Sequence, residues 1–351
     1  MAKVFVGLSG GVDSAVSAAL LKEQRYDVTC VFIKIWQPEF IECTWKEDRL
    51  DAMRVAVSLD LPFAEIDLSN DYKKTVIDSM IEGYTRGITP NPDVLCNRSI
   101  KFGSFLKFAK EQGADFIGTG HYARIRKGKS FELLRGKDSS KDQSYFLHLL
   151  DQHDLASTIF PVGELSKKEV RKLARKFKLH VADKPDSQGL CFVGDVTMKD
   201  FLGRYIKLQK GDVLDLDGKV IGEHDGAALY TIGQRHGFRA HNIDIQGGPY
   251  FVTRTNAKRN IIWASKNLAE AHSLTVAVRK MHWISDPLKL PASAEVQVRY
   301  RERTGRARFS QDREKIVVQF EEPRVVSPGQ SLVIYDREIT LGGSVISEIV
   351  H

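Results

Sequence analysis

The chain reads as an α/β protein with an all-β tail: an N-terminal doubly wound parallel sheet, a small middle domain and a C-terminal β-barrel. Three observations predict this. Strand-like and helix-like patterns alternate through residues 1–195, as a parallel sheet with helices on both faces requires. Residues 201–266 turn Gly-rich, with short strands and little helical periodicity. Residues 272–351 then carry almost only strand signal broken by turns, the pattern of a small barrel.

The first element is the most informative. An apolar strand, Val4–Leu8, feeds the turn Ser9-Gly10-Gly11, which opens directly into an amphipathic helix. Val12, Ala15, Val16, Ala19 and Leu20 recur at helical spacing and predict one buried stripe. Paired glycines let backbone N–H groups crowd around an anion at a helix N-terminus that already favours negative charge. Ser9 and Ser14 add hydroxyl donors, and Asp13 is a candidate to hold a Mg²⁺ bridging phosphate oxygens. The segment Gly7, Leu8, Ser9, Gly10, Gly11, Val12, Asp13, Ser14 therefore reads as a pyrophosphate cradle. It has neither the Gly-Lys-Ser/Thr end of a Walker loop nor the three wider-spaced glycines of a dinucleotide fingerprint.

Further strands are expected at Val28–Ile33, Phe63–Asp67 and Phe116–Gly120, with helices near Asp51–Leu59, Tyr72–Tyr84, Ile100–Gln112 and Lys167–Lys178. Gly118-Thr119-Gly120-His121 falls at a strand's carboxyl end, where its backbone can approach a nucleotide. The tail predicts strands at Leu274–Val278, Ala294–Arg299, Ile316–Phe320, Ser331–Tyr335 and Gly343–Ile349. Within it Gln297, Arg299, Arg301 and Arg303 alternate with Val298, Tyr300 and Glu302, which places the arginines on one strand face. Arg306 and Arg308 fall on the expected hairpin partner, making either a phosphate-binding ribbon or a solvated face.

Composition narrows the class. The hydrophobic share of 42% and charged share of 28% are those of an ordinary globular chain. No apolar run is long enough to span a bilayer, and the chain enters a strand almost at Met1 with no leader pattern, so a cytoplasmic protein is expected. A net charge of +7 and a pI near 9.1 fit a polyanionic partner, or simply a basic chain.

The four cysteines, Cys30, Cys43, Cys96 and Cys191, form no close pair, against a zinc ribbon or a thioredoxin-type site. Cys30 sits in a strand expected to be buried, and Cys43 lies among residues of a surface helix or loop. Cys96 follows Asn91-Pro92-Asp93 near the start of a helix, where a thiol is more easily ionised, with Asp93 three residues away to exchange a proton. Cys191 lies in the polar loop Asp186–Gly194, where a structural cysteine has little reason to be. Two such loop cysteines over one nucleotide site could carry and resolve a sulfane sulfur. Alternatively Asp93, Cys96 and Cys191 could ligate an iron–sulfur cluster.

Ser-Gly-Gly-Val-Asp-Ser resembles the loop of the ATP pyrophosphatases, with their adenine-nucleotide α-hydrolase-like sheet. The combination of Asn91-Pro92-Asp93-x-x-Cys96-Asn97 with Lys141-Asp142-Gln143-Ser144-Tyr145-Phe146-Leu147 resembles, more narrowly, the tRNA-specific 2-thiouridylases. Phe160–Glu164, Cys191-Phe192, Gly222-Glu223-His224 and Gly233-Gln234-Arg235 extend the likeness to nearly the whole chain.

The resemblance implies ATP-dependent replacement of the C2 oxygen of a wobble uridine by sulfur, with AMP and pyrophosphate released. It implies that Gly7–Ser14, Ile33 and Gly120 hold ATP; Ile33 stands where relatives often have Met. Asn91, Pro92 and Asp93 would take the extruded base. Asp93 would act as acid/base, Cys96 as nucleophile and Cys191 as persulfide carrier, with a transient Cys96–Cys191 disulfide. His121, Lys141, Asp142, Gln143, Arg299, Tyr300 and Gln330 would contact the tRNA anticodon stem-loop. The implied sulfur source is a cysteine desulfurase or a relay protein, and the implied state a monomer. Persulfide attack and release of hydrosulfide near the base stay open. So do a small-molecule ligase of the same superfamily and an RNA-binding protein that has kept an old ATP domain.

Overall fold

The computed structural model describes residues 1–40, 45–186, 196–241 and 248–350. Its first sheet is built from β1 (Lys3–Leu8), β2 (Asp27–Lys34), β3 (Phe63–Asp67), β4 (Phe116–Gly118) and, beyond a hairpin, β7 (Thr158–Ile159). These pair in parallel in the order β3-β2-β1-β4-β7. Val4, Val6 and Leu8 of β1 pack with helices Val12–Glu23, Trp45–Ser58 and Lys167–Lys176. Phe5 faces the opposite way, onto the helical runs 69–85 and 92–111. Both faces are covered, which is why β1 is apolar almost throughout and why only its carboxyl edge is left for a ligand.

Two local expectations change. Helix Val12–Glu23 is buried on more than one stripe: Ala18 and Leu21 are fully enclosed while Leu20 is half-buried. The helix lies between the sheet and helix Lys167–Lys176, so it has two covered sides. The strand expected at Phe116–Gly120 ends at Gly118, freeing Thr119–His121 to turn over the sheet edge.

The intervening hairpin, β5 (Ala123–Lys127) and β6 (Phe131–Arg135), is not among the expected strands. It leaves the first sheet altogether and pairs with the distant C-terminal strands. The middle region opens with helix Met198–Leu202, whose Phe201 and Leu202 are buried in the N-terminal core. It continues as β8 (Gly211–Leu214), β9 (Val220–His224), β10 (Phe238–Ala240), β11 (Phe251–Asn256) and β12 (Ile261–Ser265), ordered β10-β9-β8-β12-β11 around Val213, Val252 and Ile262.

The tail consists of β13 (His272–Val278), β14 (His282–Trp283), β15 (Ala292–Gln297), β16 (Gly305–Asp312), β17 (Lys315–Val325), β18 (Ser331–Asp336) and β19 (Ile339–Val350). The path β13-β17-β16-β15-β18-β19 closes into a barrel because β13 also pairs with β19. β19 then continues sideways into β6 through Ile339 opposite Leu134 and Thr340 opposite Leu133.

The arginine ribbon is corrected. β15 stops at Gln297, and Arg299, Arg301 and Arg303 lie in the loop to β16, with Arg301 at φ +63°. Gln297 Nε2 donates to the carbonyls of Arg299 and Glu302, each at 3.0 Å, and so folds that loop back on its own strand. Arg306 and Arg308 do sit on β16, both exposed on one face.

Candidate active site

The cradle is a turn braced from within. Gly10 adopts φ +74°, and a Cβ there would lie 2.5 Å from the Asp48 carbonyl oxygen, so the turn is pressed against helix Trp45–Ser58. Ser14 Oγ donates to Gly11 O at 3.1 Å, accepts from Ser9 N at 3.2 Å and lies 3.3 Å from Ser9 Oγ. Gly11 is the N-cap of helix Val12–Glu23, whose first N–H groups have no intrahelical acceptor and face the turn. Gly120 closes the other side: a Cβ on it would lie 2.7 Å from Ser14 N. Ile33 Cδ1 and Phe105 stand behind Gly7, an apolar wall beside the cradle.

Asp13 is already partnered. Tyr122 donates its hydroxyl to Oδ1 at 2.8 Å, and Lys167 Nζ approaches Oδ1 at 2.7 Å and Oδ2 at 2.8 Å. The Lys167 ammonium therefore bridges both oxygens of this carboxylate. Burial and the Asp13 charge push the Tyr122 hydroxyl far above its usual range, keeping it a donor. Lys167 also meets Asp186 at 2.8 Å, and Lys141 and Arg171 meet Asp186 at 2.7 and 3.0 Å. Burial raises the Asp186 carboxyl, yet the hydrogen bonds from Lys141 and Lys167 prevail and hold it at about 2.

Tyr122, which follows His121 in the motif Thr119-Gly120-His121-Tyr122, and Lys167 carry no role in the sequence expectations. For Lys167 a signal existed: Ser166 and Glu169 form a capping box, which fixes Lys167 as the first residue of its helix.

The second element of the site is the helix after Asn91. Asn91 is its N-cap, accepting from Val94 N at 3.4 Å, and Pro92 occupies the first turn. Asp93 follows, half-buried, its carboxyl raised by burial against the opposing charge of Lys101. Cys96, also half-buried and packed on the N-terminal core, ends segment Pro92–Cys96. The helix continues without a break through a π-helical stretch, Asn97–Phe105, into Leu106–Glu111. Buried Asn97 donates to Phe146 O at 3.3 Å.

His121 links the two elements. It is buried between Phe102 and Phe160, its Nδ1 lies 2.8 Å from Thr119 Oγ1, and its Nε2 lies 3.4 Å from Lys101 Nζ. Burial, reinforced by the Lys101 charge, pushes the imidazole well below its usual range, so the ring is neutral. Because Lys101 can only donate, Nε2 accepts and Nδ1–H points to Thr119.

The remaining candidates are spread. Lys141 joins the Asp186 network, and Gln143 Oε1 accepts from Tyr122 N at 3.0 Å. Buried Asp142 accepts from Gly136 N at 2.9 Å, from Ser144 N at 3.1 Å, and pairs with Arg135 at 3.0 Å. Arg299 donates to Ile232 O, and burial lowers its guanidinium. Tyr300 packs on Phe146 with ring centroids 4.4 Å apart. Gln330 reaches the carbonyls of Thr89 and Pro90. Cys30 is fully enclosed and burial pushes its thiol up to about 12, which makes it inert. Cys43 and Cys191 lie outside the described residues. Among the described residues the one close metal-ligand grouping is Asp151, His153 and Asp154, and both its carboxylates pair with Arg98.

Residues 2–195 match the family model described as tRNA methyl transferase HUP domain, 199–266 its PRC-barrel domain, and 273–346 the aminomethyltransferase beta-barrel domain. A relative from Ruthia magnifica subsp. Calyptogena magnifica, named tRNA-specific 2-thiouridylase MnmA, is 42% identical over 98% of this chain and 97% of its own. The chain belongs to the MnmA family. The Bacillus subtilis (strain 168) member is 40% identical over 99% of this chain and 95% of its own. Among solved structures, the U34-tRNA thiolase NcsA from Methanococcus maripaludis with its 4Fe–4S cluster covers 54% of this chain and 61% of that one, at 21% identity and a TM-score of 0.37. The MnmA architecture here is the expected one: a parallel-sheet HUP domain, a middle PRC-barrel domain and a C-terminal β-barrel. No helix among the described residues is long and apolar enough to cross a membrane.

Proposed function

We propose that this chain is an ATP-dependent tRNA 2-thiouridylase acting on the wobble uridine. One observation carries the reading: Gly120 packs on the cradle while its neighbour His121 reaches Lys101, on the same helix as Asp93 and Cys96. Nucleotide and thiol elements thus share one sheet edge. The cradle holds the ATP phosphates against helix-terminal N–H groups, with adenine against Ile33 and Gly120. Asn91, Pro92 and Asp93 take the extruded base. The uracil C2 oxygen attacks the α-phosphorus and pyrophosphate leaves, so a poor leaving group becomes AMP.

The terminal sulfur of a Cys191 persulfide then attacks C2, and AMP departs with the original oxygen. The Cys96 thiolate attacks Cys191 Sγ, the S–S bond to the base breaks, and 2-thiouridine is released with a Cys96–Cys191 disulfide that an external thiol reopens. Asp93 moves the proton. Mg²⁺ would travel on the ATP phosphates, since Lys167 already neutralises Asp13. A cytoplasmic monomer supplied by a cysteine desulfurase or a sulfur relay protein fits this chemistry. Domain 1–195 would bear the catalysis, with 201–266 and 272–351 bearing on the anticodon stem-loop. Lys141, Gln143, Arg299 and Tyr300, each with some exposed surface, are the tRNA-facing candidates; His121 and Asp142 are buried in internal contacts, and the Gln330 amide is engaged by Thr89 and Pro90.

The test is nucleoside mass spectrometry of unthiolated tRNA incubated with protein, ATP, Mg²⁺ and a sulfur source. 2-Thiouridine in wild type, absent in Cys96→Ser and Cys191→Ser, supports the reading; thiolation in either variant removes the persulfide route. Iron and sulfide analysis of anaerobically purified protein decides the alternative in which Asp93, Cys96 and Cys191 ligate a cluster.

A further inference from the structure

The segment just before the base-binding helix, Gly87–Pro90, is gripped from two sides. From the barrel comes the turn Ser327–Gln330 between β17 and β18, closed by Gln330 N donating to Ser327 O at 3.2 Å and tied to β19 through Gly329 N to Ile346 O at 2.8 Å. Its Pro328 carbonyl accepts from Thr89 N at 3.0 Å. Gly329, at φ +93°, comes so near that a Cβ would lie 2.2 Å from Ile88 Cγ2 and 2.6 Å from Thr89 O. Gln330 Nε2 donates to Thr89 O at 2.9 Å and Pro90 O at 3.3 Å. From the middle domain, Thr231 Oγ1 lies 3.1 Å from Thr89 Oγ1, and Ala257 fits so closely that a Cβ on Gly87 would lie 2.7 Å from its own.

The consequence is geometric. Two residues after Thr89 the chain reaches Asn91, whose side chain caps the helix that presents Asp93 and Cys96. Thr89 and Pro90 cannot shift without moving that cap. Gln330 has one amide nitrogen, and its hydrogen-bonding reach is taken by two main-chain carbonyls of another domain.

We infer that Gln330 is a positioning residue: it locks the C-terminal barrel to the loop that sets the angle of the base-binding helix, and Thr231 supplies the matching lock from the middle domain. Docking of tRNA on the barrel is thereby conveyed to Asp93 and Cys96 through Thr89 and Pro90. The inference rests on the thiouridylase reading for its kinetic effect but not for its structural one.

The test compares wild type with Gln330→Glu, which keeps the length and removes the donor, and with Thr231→Val. A positioning role predicts that Gln330→Glu lowers the single-turnover rate at saturating tRNA about tenfold while tRNA Kd stays within about twofold. It also predicts faster amide exchange in peptides covering 88–97 for both variants, with a smaller effect for Thr231→Val. A weakened Kd with unchanged saturating rate and unchanged exchange overturns it and makes Gln330 a plain RNA contact. Lowered thermal stability with normal rate and exchange overturns it too. Should wild type form no 2-thiouridine, the thiouridylase reading fails, and the exchange comparison still decides the lock.

Discussion

Lys167 Nζ sits 2.7 Å from Asp13 Oδ1 and 2.8 Å from Oδ2, so the acid of the nucleotide cradle carries its own counter-cation. On the proposed reading, phosphate oxygens arriving at the cradle would meet an ammonium already oriented by two carboxylates, Asp13 and Asp186. Replacing it by Lys167→Met leaves Asp13 uncompensated beside the incoming negative charge. KM for ATP should rise about tenfold or more, with tRNA affinity unchanged and Lys167→Arg intermediate. An unaltered KM for ATP in the Met variant would sink the assignment.

Gly120 has no room for a methyl group, since a Cβ would lie 2.7 Å from Ser14 N and 2.8 Å from the Asp13 carbonyl carbon. Backbone must move on one side or the other. Gly120→Ala should cost about 1–3 kcal/mol of stability and weaken ATP binding together. Gly113→Ala, at a site with open space but φ +78°, is the control: it should cost stability through strain alone and leave ATP binding intact. Calorimetric titration with a non-hydrolysable ATP analogue, beside thermal melts, separates the two.

The thiols should differ sharply. Cys30 is enclosed and its thiol stands near 12, so iodoacetamide at pH 8 should leave it unlabelled until the chain unfolds. Cys96, half-buried on the helix of Asp93, should label in the native protein. Peptide mapping after brief labelling reads both; native labelling of Cys30 would contradict the packing of β2.

Asp186 predicts a pH signature. Its folded carboxyl is held at about 2, below the ordinary value of 3.8, so its contribution to stability is full above about pH 4 and fades as pH falls toward 2. The difference in urea midpoint between wild type and Asp186→Asn should therefore be constant from neutral pH down to about 5 and shrink below 4. A difference that grows on acidification would mean that the Lys141, Lys167 and Arg171 contacts do not hold the charge.

What could be read in advance was local. Strand, turn and helix through Gly7–Ser14 follow from residue order alone, and so does the inertness of Cys30 in a buried strand. Failures arose where distant chain segments decide. The alternation Gln297–Arg303 looks like a strand, but Gln297 bonds to the Arg299 and Glu302 carbonyls and curls it into a loop. Nothing near Asp13 in sequence announces its side-chain partner, Lys167, 154 residues away. Asn91-Pro92-Asp93 stands at a helix start, with Asn91 as the cap; its reading as a base site rests on the resemblance alone. The hairpin β5–β6 had a signal in Ala123–Arg135, two β-type runs around Gly128, yet nothing local says which sheet receives it.

That hairpin has a consequence for how the molecule is made. β6 pairs with Ile339 and Thr340, some 205 positions later than Leu134 (339 − 134), so one edge of it stays open until those residues have been synthesised. At elongation rates of about 5–20 residues per second the nascent chain carries an unsatisfied strand for on the order of ten seconds or more. Arg124, Arg126 and Lys127 on the neighbouring β5 keep the ribbon charged, which disfavours edge-to-edge pairing. The hairpin of the first domain thus keeps an open edge until β19 has emerged.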